Sequence, residues 1–97
     1  MKITVELNDD KLRNIIGNAR IHYWADVIEW DRDNLYLIIT DRDSGVIYTL
    51  TQSRFSDGAK AMSVYPGRFA ELLTGRGDSI TGDILVQMAA FGEIVYQ

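Results

Sequence analysis

The chain has 97 residues, 46% of them apolar, which is enough for one domain with a modest core. Without cysteine it can form neither disulfides nor thiolate metal sites, and its net charge of −4 argues against direct, non-specific binding of nucleic acid. No apolar run is long enough to span a bilayer, and the opening Met1-Lys2-Ile3-Thr4-Val5-Glu6 does not read as a signal peptide, so a cytoplasmic location without a membrane partner is expected. The mild acidity is compatible with a basic protein partner, and equally with solubility alone.

Ile3, Val5 and Leu7 alternate with Thr4 and Glu6, which predicts a strand over 2–7. Asn8 or Asp9 can cap a helix over 9–19, where Leu12, Ile15, Ile16 and Ala19 recur at helical spacing. Three consecutive strands follow, 21–30, 35–41 and 46–51, joined by acidic turns. Asp41-Arg42-Asp43-Ser44-Gly45 is turn chemistry, with Gly45 suited to a positive φ. Pairing Ile39 with Tyr48 and Leu37 with Leu50 puts Leu35, Leu37, Ile39, Val46, Tyr48 and Leu50 on one apolar face. Pairing Trp30 with Leu35 extends that face through Ile28, Asp26 and Trp24.

The other face then carries Tyr23, Val27, Tyr36, Ile38 and Ile47, an apolar patch for which a second subunit is the economical cover. After Thr51 the period becomes helical. Phe55, Ala59 and Met62 predict a helix over 52–64, within which Gly58 costs about 1 kcal/mol. Pro66 opens the next helix, marked by Phe69, Leu72 and Leu73 and closed by Gly75. Asp78 or Thr81 caps the last helix, with Ile84, Leu85, Met88 and Phe91 as its stripe and Gly92 as its C′ residue. Ile94-Val95-Tyr96 reads as an extended tail, an edge strand or a clamp on a partner subunit. The expected fold is α+β: a small antiparallel sheet in β-α-β-β-β-α-α-α order, with helices packed on one face.

Candidate chemistry is sparse. His22 is the only histidine and supports neither a triad nor a metal site. Asp26 on a core face needs a partner or a raised pKa. It is a polar hook at the base of a pocket lined by Trp24, half of an ion pair with an arginine, or the sign of a register one residue off. Asp78, Asp83 and Glu93 flank the last helix and could bind a hard cation or do acid–base work, but acids near a helix N-terminus are favoured by its dipole alone. Arg54, Arg68 and Arg76 could hold a phosphate beside Tyr or Trp platforms, although no glycine-rich phosphate loop is present. The candidate binding set is therefore Tyr23, Trp24, Asp26 and Tyr36 from the sheet, with Arg76, Asp83 and Glu93 from the helical half. No catalytic residue, metal or cofactor is expected.

Two stretches carry a resemblance: Tyr23-Trp24-Ala25 after the first helix, and the run from Asp83 to Tyr96 that contains Gln87, Phe91, Gly92, Glu93 and Val95. Together they resemble a family of small, functionally unassigned phage and prophage proteins. That family has a Tyr-Trp-Ala strand and a closing Asp-x-x-x-Gln-x-x-x-Phe-Gly-Glu-hydrophobic-Val-Tyr motif. The chain departs from the pattern at Gln97, where glycine is expected. The resemblance implies a phage origin, the host cytoplasm as location, and an accessory role: inhibiting host defence, sequestering a host signal or assisting replication.

Two function classes follow. One is a non-enzymatic binding protein, most economically a dimer, that binds a host defence protein or holds a nucleotide signal at a subunit interface. The other is a small enzyme using the carboxylates near the last helix. A purely structural accessory is a third reading. A pocket joining Asp26, Asp83 and Glu93 would favour the enzyme, and one lined by aromatics and arginine would favour ligand holding.

Overall fold

A computed structural model describes residues 8–74, 76 and 78–96, so the strand expected over 2–7 and the helix stop at Gly75 lie outside the described residues. The described chain runs through α1 (Asp9–Gly17), a 3₁₀ turn (Ile21–Tyr23), β1 (Ala25–Asp31), β2 (Tyr36–Asp41) and β3 (Ile47–Leu50). It continues through α2 (Gln52–Ala61), a second 3₁₀ turn (Met62–Val64), α3 (Pro66–Thr74) and α4 (Ser79–Phe91). The three strands form one antiparallel sheet in the order β1-β2-β3, and with the four helices this is an α+β architecture. No helix among the described residues is long and apolar enough to cross a membrane.

The second hairpin follows simple alternation. Leu37 pairs with Leu50 and Ile39 with Tyr48, as the expected register has it, and Gly45 takes a φ of 71° in the turn. Leu37, Ile39 and Leu50 are buried together with helix residues in one core, while Ile47 on the opposite face is exposed.

The first hairpin corrects the expected register. Trp30 pairs with Leu37, not Leu35, and Leu35 sits in the turn with a φ of 50°. Between Val27 and Glu29 the register shifts, leaving Ile28 as an extra residue. Such a bulge reverses the parity of the strand, so residues on its two sides cannot be assigned to faces by one alternation. Trp30 stays on the core side, but Ile28 is exposed, and ahead of the bulge the buried residue is Ala25, not Asp26. The Asp26 side chain is 69% exposed and pairs with Arg42 at 3.1 Å. Trp24 is nevertheless buried, because it closes the 3₁₀ turn ahead of the strand and is not bound by strand alternation. Tyr23 belongs to that turn and not to the outer sheet face. Val27 is opposite the buried Ile39 yet is itself 48% exposed.

The helices owe their ends to the expected residues. The Asn8 side chain accepts the Lys11 N–H, Asp78 accepts those of Ile80 and Thr81, and Gly92 closes α4 with a φ of 77°. The helix expected over 52–64 ends earlier, its last turn tightening into the 3₁₀ segment. α4 packs against α1, α2, α3 and β3, and from Thr81 to Ala90 only Ile84 is not fully buried. Two glycines permit that crowding. A Cβ at Gly82 would lie 2.5 Å from the Ile15 carbonyl oxygen of α1, and one at Gly58 would lie 2.7 Å from the Ala89 nitrogen. Gly58 thus gives up helix propensity in exchange for a close α2–α4 crossing.

Candidate functional site

A polar seam runs through this apolar packing, on α4 itself. Asp83 and Gln87 stand one turn apart, 6% and 1% exposed. Buried polar groups of this kind need partners. The Gln87 amide finds them in the tail: its oxygen accepts the N–H groups of Val95 and Tyr96 at 2.9 and 2.8 Å. Its nitrogen donates to the Tyr96 carbonyl at 2.9 Å and to Asp83 Oδ1 at 3.3 Å. The left-handed turn at Gly92 folds residues 93–96 back along the helix. The tail is therefore not an edge strand but lies against its own chain's helix.

This return delivers Tyr96 onto Trp24, the rings stacked at 5.3 Å and 15°. Phe91 lies 5.3 Å from Trp24 and meets Tyr48 edge-on. The Trp24 indole N–H donates to Asp83 Oδ1 at 2.6 Å. Asp83 is thus no mere dipole acid at a helix start, but the buried acceptor for Trp24 and Gln87. The Tyr96 hydroxyl donates to Asp41 Oδ1 at 2.6 Å. Burial pushes the Asp41 carboxyl up. The hydroxyls of Tyr96 and Ser44 and the backbone N–H groups of Asp43 and Ser44 outweigh that and hold it below the usual carboxylate range. The same bond, with burial and the charges of Asp41 and Asp43, pushes Tyr96 up to about 12.

On the open side of the seam lies a cleft of about 540 Å³ lined by Arg20, Tyr23, Trp24, Asp83, Val95 and Tyr96. A second groove of about 240 Å³ shares Arg20, Asp83 and Tyr96 and continues over Ile80, Ile84 and Ile94. Arg20 stands between the two. Its Nε is 3.8 Å from Asp83 Oδ2, and its guanidinium carbon lies 5.4 Å over the Tyr23 ring. The Arg20 Nε is buried and has no hydrogen-bond partner among the described residues.

Of the candidate residues, Tyr23, Trp24 and Asp83 line this cleft. Asp26, Tyr36, Arg76 and Glu93 do not. Asp26 points to solvent, Tyr36 pairs with Asp31 at the end of β2, Arg76 is exposed between α3 and α4, and Glu93 is exposed just after Gly92. The three carboxylates that an enzyme reading would join are therefore not gathered, and among the described residues no cluster of three potential metal ligands occurs. Arg20, Val95 and Tyr96 are the cleft residues outside the candidate set. In the sequence Val95 and Tyr96 read as part of an apolar tail and of the closing motif, not as lining.

No protein-family model, curated protein or solved structure matches this chain. Trp24, Asp83, Gln87, Phe91, Gly92 and Tyr96 all build the seam or the rings around it.

Proposed function

We propose that this chain is a small non-enzymatic, phage-type accessory protein that counters host defence by holding a nucleotide signal in the Arg20 cleft. The observation that carries this reading is the cleft itself: about 540 Å³, one arginine with an unpartnered donor, and the rings of Tyr23, Trp24 and Tyr96. Its volume is that of an ordinary small-molecule site, and aromatic faces with a planar cation are what a nucleotide needs. The scattered carboxylates weigh against the enzyme reading. The phage origin and the defence role rest on the resemblance of the sequence.

A second copy of the chain is proposed as the cover of the outer sheet face, where Ile28 and Ile47 are exposed; Val46, expected on the core face, is exposed at the turn before β3. Three short strands present a face of about 20 by 14 Å, roughly 300 Å². A stable interface buries about 800 Å² per partner, so this self-association is weak.

The test is recovery of the ligand. The protein is purified from expressing cells, denatured, and its small-molecule extract analysed by mass spectrometry, beside calorimetric titration with a panel of mono- and dinucleotides. A nucleotide recovered chemically unchanged supports the reading. No binding to any member, or conversion of the bound nucleotide, overturns it.

A further inference from the structure

We infer that the cleft takes its ligand by an oxyanion seated on the Arg20 guanidinium, with a flat ring laid on Tyr23. This rests on reading the cleft as a nucleotide-holding site and names the chemistry by which it would hold one.

A guanidinium carries N–H donors in a planar fork. Asp83 is close enough to balance its charge, but 3.8 Å is too long for a hydrogen bond. The carboxylate is held in place from its other side, where Oδ1 accepts from Trp24 at 2.6 Å and from Gln87 at 3.3 Å. Asp83 thus positions the guanidinium without satisfying it, and Nε remains a buried donor without an acceptor. A buried donor on a charged group is costly to leave unpaired, and a two-oxygen anion matches the fork.

The opposite choice, a cationic ligand on Asp83, fails on access. Asp83 is 6% exposed and one of its oxygens already serves two donors. Arg20 is 36% exposed at its side chain although its Nε is buried, so a ligand reaches the guanidinium through its remaining atoms. A neutral ring alone would leave the Arg20 donor as it is.

The ring follows from Tyr23. It is 70% exposed, its ring stacks on His22 at 4.7 Å, and Arg20 lies over it at 5.4 Å. Trp24 is buried and Tyr96 half-buried, so Tyr23 is the most exposed ring of the lining. Among the described residues Arg20 and Asp83 are the only charged ones of the lining and nearly balance each other, so an anion alone gains little there. The ligand must supply the ring as well as the charge, which describes a nucleoside phosphate better than free phosphate.

The test titrates the full chain at low salt with adenosine 5′-monophosphate, adenosine and inorganic phosphate. The monophosphate should bind at least about tenfold tighter than adenosine, and phosphate should bind more weakly than the monophosphate. Arg20→Gln should bring the monophosphate and adenosine within about twofold of each other, since the bidentate seat is gone. Should Arg20→Gln fail to fold, Arg20→Lys keeps the charge facing Asp83 and removes the fork, and the same preference should fall at least about fivefold. Tyr23→Ala should weaken monophosphate and adenosine alike. Equal binding of the two by the unaltered chain, or a preference that survives at Arg20→Gln or Arg20→Lys, overturns the Arg20 seat and leaves the nucleotide-holding reading standing. No binding of either compound by the unaltered chain overturns the Arg20 seat, and the nucleotide-holding reading is then decided by the wider panel.

Discussion

Trp24 and Asp83 are 59 positions apart in the chain and share the shortest buried side-chain hydrogen bond of the seam, 2.6 Å from indole nitrogen to carboxylate oxygen. The bond ties the entry of the sheet to the central helix. Everything that lines the cleft is hung on one of its two ends: Tyr23 next to Trp24, Arg20 against Asp83, and Tyr96 stacked on the indole and tied to Asp83 through Gln87.

Trp24→Ala should cost about 3–5 kcal/mol, as truncations of large core residues do. Trp24→Phe separates the bond from the bulk. It keeps most of the apolar ring but leaves Asp83 short of a donor, and should cost about 1–3 kcal/mol. Urea unfolding followed by circular dichroism measures both. Equal stability of Trp24→Phe and the unaltered chain would mean that the bond has no net value and the ring alone holds the turn.

Glycine substitutions should change sign between two helices. At Gly17 an added Cβ meets nothing within 4 Å, so Gly17→Ala should be neutral or stabilise by up to about 1 kcal/mol. At Gly82 the same atom meets the backbone of α1 at 2.5 Å, and backbone cannot swing aside as a side chain can. Gly82→Ala should therefore lose about 1–3 kcal/mol despite its better helix propensity. A stabilising Gly82→Ala would place α1 and α4 further apart than described.

Legibility in the sequence followed the range of the interactions. The second hairpin could be read because unbroken alternation and a Gly turn both act between near neighbours. The first could not, because a single extra residue at Ile28 reverses every face assignment beyond it, and nothing in the composition of 25–31 marks the bulge. Of the site, Trp24 and Asp83 were visible as residues but not as partners. Gln87 offered the missed signal. A glutamine amid Leu85, Val86, Met88 and Ala89 is a polar group on a helix with little room for a solvent face, and such a group must be satisfied from elsewhere in the chain. Arg20 gave no such signal, since its meaning lies in a hydrogen bond it does not make.

Self-association should be weak and concentration-dependent. Sedimentation velocity from about 10 μM to about 500 μM should show a monomer passing towards a dimer, as an interface well under standard size implies. Ile47→Asp on the exposed outer face should abolish the shift without lowering the melting temperature. A monomer throughout the range removes the dimer. A dimer indifferent to Ile47→Asp moves the interface away from the sheet.

The Tyr96–Asp41 bond should set how stability responds to pH at both extremes. Asp41 has a folded pKa below its ordinary value of about 3.9. Its contribution is therefore fully present above that value and is lost as pH falls through the lower, folded one. Tyr96 moves the other way. Its folded value of about 12 stands above the ordinary value of about 10, so its contribution is fully present below pH 10 and is lost as pH rises towards 12. Tyr96→Phe removes the hydroxyl that serves both groups. The stability difference between the unaltered chain and Tyr96→Phe should be level from about pH 5 to about pH 9 and shrink on either side. Asp31 and Asp78, also held below the usual range, are common to both proteins and cancel in the difference. Asp41→Asn should shrink the alkaline effect too, because without the carboxylate Tyr96 has no strong acceptor to hold its proton. A difference that stays constant through both windows would show that the hydroxyl and the carboxylate do not share a proton in solution, and the tail would then be held by Gln87 and the Trp24 stack alone.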